Sequence, residues 1–205
     1  MAEVLTSKTL LFRIRDPGDG QAWGTFSQVY TPLVFYFCRK RGLNEADAAD
    51  IVQDVMTSIA RSITRFTYDP ERGTFRSWLY TITRNRLAKH FRKSAQSPKA
   101  LSQSAVTRLA DESENDPGSE SLWEEEYRRH LFQWAAENVR GEFQSQTWGA
   151  FWRTAVEHAP AADVARELNM KLGAVYTARS RVMARLREKI ASVSGDLDDF
   201  LLNKV

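Results

Sequence analysis

Basic and aromatic side chains are the residues in this chain whose spacing could do chemistry. From Arg72 to Lys93 the cations Arg72, Arg76, Arg84, Arg86, Lys89, Arg92 and Lys93 follow one another with no acid between them, and Phe75, Trp78 and Tyr80 are interleaved. A helix of about 20 residues is ~30 Å long, enough to lie along a nucleic-acid backbone. Cations so placed neutralise phosphates, and aromatic rings stack on unpaired bases. A solvated basic face on a core helix would show the same run. A second basic stretch, Lys171 to Lys189, holds Lys171, Arg179, Arg181, Arg185, Arg187 and Lys189 against one acid, Glu188. Between Gly42 and Met56 the charges reverse: Glu45, Asp47, Asp50 and Asp54 are all acidic. Acids in a first helical turn suit the helix dipole, an explanation that does not extend to Gln53 among them.

Other chemistries find no residues. His90, His130 and His158 are far apart, and none has a cysteine at metal-ligand spacing. Neither a phosphate-cradling glycine loop nor a nucleophile elbow occurs. No catalytic residue, metal or cofactor is therefore assigned, and the chain is not expected to be an enzyme.

The elements that must position these residues read as helices. The chain has 205 residues, is 42% hydrophobic and carries a net charge of +3, with a pI near 9.1. That suits one domain or two small ones with a real core. The single cysteine, Cys38, fits a reducing compartment. No apolar run approaches the ~20 residues that span a bilayer, and no secretory signal opens the chain. A soluble cytoplasmic protein without membrane insertion is expected.

Asp16-Pro17-Gly18-Asp19-Gly20 predicts a turn. Trp23, Phe26, Tyr30, Leu33 and Phe37 then make one apolar stripe at helical spacing, with a kink or break expected at Pro32 and a stop at Gly42. Asn44 is the expected N-cap of a helix that buries Ile51, Val52, Val55, Ile59 and Ile63. Gly73 permits a sharp turn and Thr74 caps the next helix, whose scaffold residues are Phe75, Trp78, Leu79 and Ile82. Trp78 reads as a core anchor before a stacking platform.

From residue 94 to 118 periodicity is lost, and Asp111, Glu112, Glu114 and Asp116 make the second half acidic. A flexible linker of this length has an r.m.s. span of ~25–30 Å and an extended limit of ~80–90 Å. Ser121 and Glu124 form a capping-box pattern before Trp123, Tyr127, Leu131, Trp134 and Ala135. Trp148, Phe151, Trp152, Ala155 and Val156 follow Gly141 as a further core helix. Residues 160–187 then make a helix-turn-helix pattern. Pro160 suits the first helical position, Ala165 is small where helices cross, and Asn169 stands where a left-handed residue is needed. Val175, Val182 and Leu186 would be buried, and Tyr176, Thr177, Ser180 and Arg181 would face outward. Such a helix can enter the major groove.

The expected fold is all-α: two small helical domains joined by a flexible acidic linker, the C-terminal one a helix-turn-helix. The boundaries are an N-terminal extension (1–20), a first helical domain (21–93), the linker (94–118), a second domain (119–190) and a tail (191–205). Two basic helices joined by a linker of that reach can grip duplex DNA one or two turns apart, ~35–70 Å.

Three motifs in this order carry a resemblance. They are Asp50-Ile51-Val52-Gln53-Asp54-Val55, then Tyr68-Asp69-Pro70-Glu71-Arg72-Gly73-Thr74-Phe75-Arg76-Ser77-Trp78-Leu79, then the helix-turn-helix at 161–187. Over about residues 22–93 and 122–190 the chain resembles bacterial sigma factors of the extracytoplasmic-function (ECF) group. The resemblance implies that the chain binds core RNA polymerase, directs promoter recognition at the −35 and −10 elements, and melts DNA for transcription initiation. It implies docking on the clamp helices of the largest polymerase subunit through Asp50, Gln53 and Asp54. It implies −10 contacts from Tyr68, Asp69, Arg72, Asn85, Arg86, Lys89 and Arg92, and −35 contacts from Lys171, Tyr176, Thr177, Ser180, Arg181 and Arg185. The partners implied are core RNA polymerase and promoter DNA, with an anti-sigma factor left open. The linker resembles a segment that threads the polymerase near the RNA path. Three positions depart from the pattern: Lys89 stands where many relatives carry Asp, Lys171 where Ser usually caps, and Tyr176 where a basic residue is frequent. The alternative is a free-standing helix-turn-helix regulator with an N-terminal interaction domain. The tail from Ser192, with Asp196, Asp198 and Asp199 before Phe200, leaves disorder and regulation both open.

Overall fold

Local capping chemistry sets where the helices begin and end. The computed structural model describes residues 8–65, 74–95 and 117–194, and the regular elements among these are helical. They divide into two compact units, one from Lys8 to His130 and one from Leu131 onward. Residues 66–73, most of the linker and the tail from 195 lie outside the described residues.

In the first unit, α1 (Lys8–Arg13) leads to α2 (Gly20–Lys40). Asp19 caps α2 by accepting the Ala22 amide at 2.9 Å, and Arg13 holds the same carboxylate through two hydrogen bonds of 2.7 and 2.9 Å. The predicted break at Pro32 does not occur, because α2 runs through it. Pro in a helix interior costs about 3 kcal/mol. Val29, Tyr30, Leu33 and Val34 around it are buried, and each such side chain contributes about 1.5–3 kcal/mol, so burial outweighs the lost bond. At the far end Gly42 adopts φ +90. Gly42 N–H donates to Arg39 O and Leu43 N–H to Cys38 O, at 3.0 and 3.2 Å, the paired bonds of a Schellman stop.

Asn44 caps α3 (Glu45–Ser62) through the Asp47 amide at 2.9 Å. Thr74 caps α4 (Phe75–Ala95) through the Ser77 amide at 3.1 Å. α3 packs on both α2 and α4. The fourth long helix, α5 (Pro117–Arg140), starts four residues before the expected cap. Pro117 is at its first position, a site where the missing N–H is no loss, and Ser121 lies inside the helix, its hydroxyl donating to Gly118 O at 2.8 Å.

Residues 117–130 of α5 belong to the first unit and complete its core. Tyr30 of α2 sits 5.6 Å from Phe75 and stacks on Tyr127 at 6.1 Å. Phe37 sits 5.3 Å from Trp123 and 5.9 Å from Tyr80. Trp123 and Tyr127 are almost fully buried. Arg76 lies over the Tyr127 ring at 4.6 Å and pairs with Glu124 at 3.4 Å. Its side chain, 12% exposed, is thereby withdrawn from the basic run.

The second unit comprises the rest of α5, then α6 (Ser145–Phe151), a π-helical turn (Trp152–Val156), α7 (Ala161–Glu167) and α8 (Leu172–Ala191). Ala150, Val164, Ala165, Val175 and Ala178 form its centre, with Leu168 and Met170 packed at the edge. Three alanines in that cluster let α6, α7 and α8 approach closely. Between α7 and α8, Asn169 adopts φ 50, with Met170 N–H on Ala165 O at 2.8 Å and Asn169 N–H on Arg166 O at 3.2 Å. This is the same stop that Gly42 makes, with Asn as the left-handed residue.

Candidate nucleic-acid interface

One groove gathers two basic residues of α4 with hydroxyls of α3. Ser58 and Ser62 come from α3, and Trp78, Ile82, Asn85, Arg86 and Lys89 from α4, around a volume of about 480 Å³. Positions 78, 82, 85 and 89 recur at helical spacing, so α4 turns one face to the groove. Phe75 and Leu79, on the other side, are completely buried. Trp78 and Ile82 are half-buried, so they are not the core anchors expected from sequence but an apolar floor, with Trp78 resting on Phe75 at 5.4 Å. Arg86 Nη2 donates to Ser58 Oγ at 2.8 Å, and Ser58 Oγ donates to Asp54 O at 2.7 Å. The guanidinium is thus anchored at the groove wall. Asn85 and Lys89 are exposed. An aromatic floor, an amide and two cations can hold an unstacked base and its phosphate. Arg92 is exposed in the last turn of α4; Tyr68, Asp69 and Arg72 lie outside the described residues.

On α3 the exposed and buried residues separate cleanly. Ile51, Val55 and Ile59 are buried. Asp50, Gln53 and Asp54 are exposed, and their three- and four-residue spacing puts them side by side. Ser58 is one turn beyond Asp54, so the acidic face and the groove lie on adjoining parts of one helix.

On α8, Lys171 stands at the N-cap without a side-chain capping bond. Tyr176, Thr177, Ser180 and Arg181 are exposed, as expected. A shallow concavity of about 330 Å³ runs along Tyr176, Arg179, Ser180, Met183 and Arg187. Arg179 and Arg187 belong to the second basic stretch but not to the expected −35 contacts, although Arg187 follows Ser180 at seven residues, two helical turns. Arg185 is placed differently from its expected companions. Its Nε and Nη2 donate to the two carboxylate oxygens of Glu142 at 2.5 and 2.9 Å, and Nη1 to Glu188 at 3.0 Å. These hydrogen bonds raise the Arg185 pKa and hold the Glu142 carboxyl below its ordinary value. The geometry makes Arg185 a clamp between α8 and the α5–α6 turn. Lys189, 4.9 Å over the Trp134 ring, is likewise committed to packing.

Comparison with known families bears on the first unit. Residues 27–97 match the family model for sigma-70 region 2. Those residues span most of α2, all of α3 and all of α4. This segment is similar to sigma-70 region 2. The chain is 34% identical over 87 residues to the ECF RNA polymerase sigma factor RpoE of Cereibacter sphaeroides, a match covering 42% of this chain and 47% of that protein. It is 32% identical over 77 residues to the ECF RNA polymerase sigma factor BldN of Streptomyces coelicolor, covering 38% of this chain and 28% of that protein. The chain spans less than half the length of either relative. The segment matched by the family model contains both the acidic face of α3 and the groove against α4. Among the described residues no helix is long and apolar enough to cross a membrane, and no cluster of His, Cys, Asp and Glu could hold a metal ion.

Proposed function

We propose that the chain is a sigma factor that binds core RNA polymerase and directs it to promoters at transcription initiation. The observation that carries this reading is the match of residues 27–97 to sigma-70 region 2. The exposed Asp50, Gln53 and Asp54 face fits docking on a basic surface of the polymerase clamp, where charge complementarity sets rate and register. The α3–α4 groove fits the −10 element once it opens. Melting unstacks bases at a few kcal/mol each, and stacking with charge neutralisation returns about 1–3 kcal/mol per base. Asn85, Arg86, Lys89 and Arg92 supply those contacts, together with Tyr68, Asp69 and Arg72, which precede α4 in the sequence. Lys89 adds a cation where many relatives carry an acid, so base preference beside it differs from theirs.

α8 reads the −35 element through Lys171, Tyr176, Thr177, Ser180 and Arg181. Arg185 drops out of this set, because its guanidinium is engaged by Glu142 and Glu188.

Transcription reconstituted from purified chain, core polymerase and a promoter library tests the reading. Specific, promoter-dependent initiation is expected. A chain that directs polymerase to no promoter, yet binds duplex DNA alone with high specificity, is a free-standing regulator instead.

A further inference from the structure

The first two turns of α8 have a surface unlike the rest of that helix. Leu172 through Ala178 contain no Arg, Lys, Asn, Gln, Asp or Glu. The side chains that pair bidentately with base edges, Arg on guanine and Asn or Gln on adenine, are therefore absent where a recognition helix makes its base contacts. In their place stand Leu172, 46% exposed, and Tyr176, 53% exposed, two of the few large apolar side chains left open among the described residues. They are four residues apart and share a face. Thr177 beside them is exposed but turns its hydroxyl onto Gly173 O at 2.9 Å, which leaves its methyl group as the free end. The patch is ringed by positive charge, from Lys171 before it and Arg179, Arg181 and Arg187 after it, all at least partly exposed. An apolar patch inside a ring of cations is complementary to one feature of duplex DNA: a methyl group on the floor of the major groove between two phosphate backbones. Among the bases only thymine presents one there.

We propose that α8 reads its −35 element through thymine C5-methyl groups, with Leu172, Tyr176 and the Thr177 methyl as the apolar reader and the flanking arginines on phosphates. This rests on the reading of α8 as the duplex-binding helix. It assigns specificity to Leu172 and makes Tyr176 an apolar contact.

The test uses the full chain with core polymerase and a promoter selected by that holoenzyme. Each thymine of the −35 region, on either strand, is replaced singly by deoxyuridine, which removes the methyl and nothing else. Binding is expected to fall about fourfold at one or two positions, the worth of burying one methyl-sized group. In Leu172→Ala or Tyr176→Ala holoenzyme that difference between thymine and uracil is expected to vanish at the corresponding position. Both side chains are half-exposed, so helical content and thermal unfolding should match the parent chain. The proposal is overturned if uracil is tolerated everywhere, if the selected element has no thymine, or if the variants keep the full thymine preference. Scrambling the whole −35 region separates the two levels. A large loss on scrambling with none on uracil leaves α8 on the duplex and removes only the methyl readout. No loss on scrambling removes α8 from the duplex altogether.

Discussion

Trp123→Ala is expected to destabilise the first unit, although Trp123 follows the linker in sequence. The indole is 1% exposed and packs edge-on against Phe37 of α2 and against Tyr80 of α4, at 5.3 and 5.7 Å. A buried tryptophan removes about 200 Å² from water, which at about 25 cal/mol per Å² is ~5 kcal/mol. Measured large-to-small truncations of this kind cost ~3–5 kcal/mol. Its indole N–H makes no hydrogen bond, so Trp123→Phe forfeits no polar pairing and should cost less than half as much. Two units need not unfold together, so the suitable assay is native-state hydrogen exchange, read helix by helix. Protection of the α2 and α4 amides should fall by roughly 10²-fold or more in Trp123→Ala, since 1.4 kcal/mol is about tenfold. Amides of α8 should keep theirs. The opposite pattern, with α8 losing protection and α2 unchanged, would refute the assignment of residues 117–130 to the first unit.

Gln53→Ala combined with Asp54→Ala should weaken core-polymerase binding in a titration while leaving binding of a −35 duplex by the chain unchanged; equal loss of both contradicts the division of labour between α3 and α8. Ser58→Ala removes the hydroxyl that anchors Arg86, a bond of about 1 kcal/mol, and should reduce promoter opening roughly fivefold without reducing closed-complex formation. Arg185→Ala should leave the −35 sequence preference intact, because the guanidinium is bound to Glu142. The same pair has a pH signature. The folded-state pKa of Glu142 is lowered by Arg185, so its contribution is fully present above the ordinary value of about 4.5 and is lost as pH falls through the lowered one. Thermal unfolding of Glu142→Gln should therefore lose part of the acid sensitivity of the parent chain. An identical pH profile would show that the pair does not contribute.

Much of the architecture was legible from local chemistry. Asn44 and Thr74 cap helices, and Gly42 and Asn169 end them, because each solves a problem confined to three or four neighbouring residues. The alternation of Ile51, Val55 and Ile59 with Asp50, Gln53 and Asp54 is likewise a property of one helix, so the acidic face could be read before any fold was known. No break occurs at Pro32, because its cost is local whereas the burial that offsets it comes from other helices. Trp78 misled for a related reason: a large aromatic reads as core until the neighbouring helix is seen to leave a groove beside it.

Charge was the least legible feature, because an arginine in sequence does not reveal its partner. Arg76, Arg185 and Arg86 look alike in the two basic runs. One lies over Tyr127 beside Glu124, one is clamped by Glu142, and one is anchored by Ser58 at a groove wall. Their partners lie 28 to 51 positions away along the chain. Period, caps and turn residues act over a single helical turn, so the amino-acid order alone determined the helices, their order and the signs of their faces. Which cations remain available to nucleic acid, and that residues 117–130 complete the first core, were decided by tertiary packing, which acts between elements whose separation the sequence does not limit.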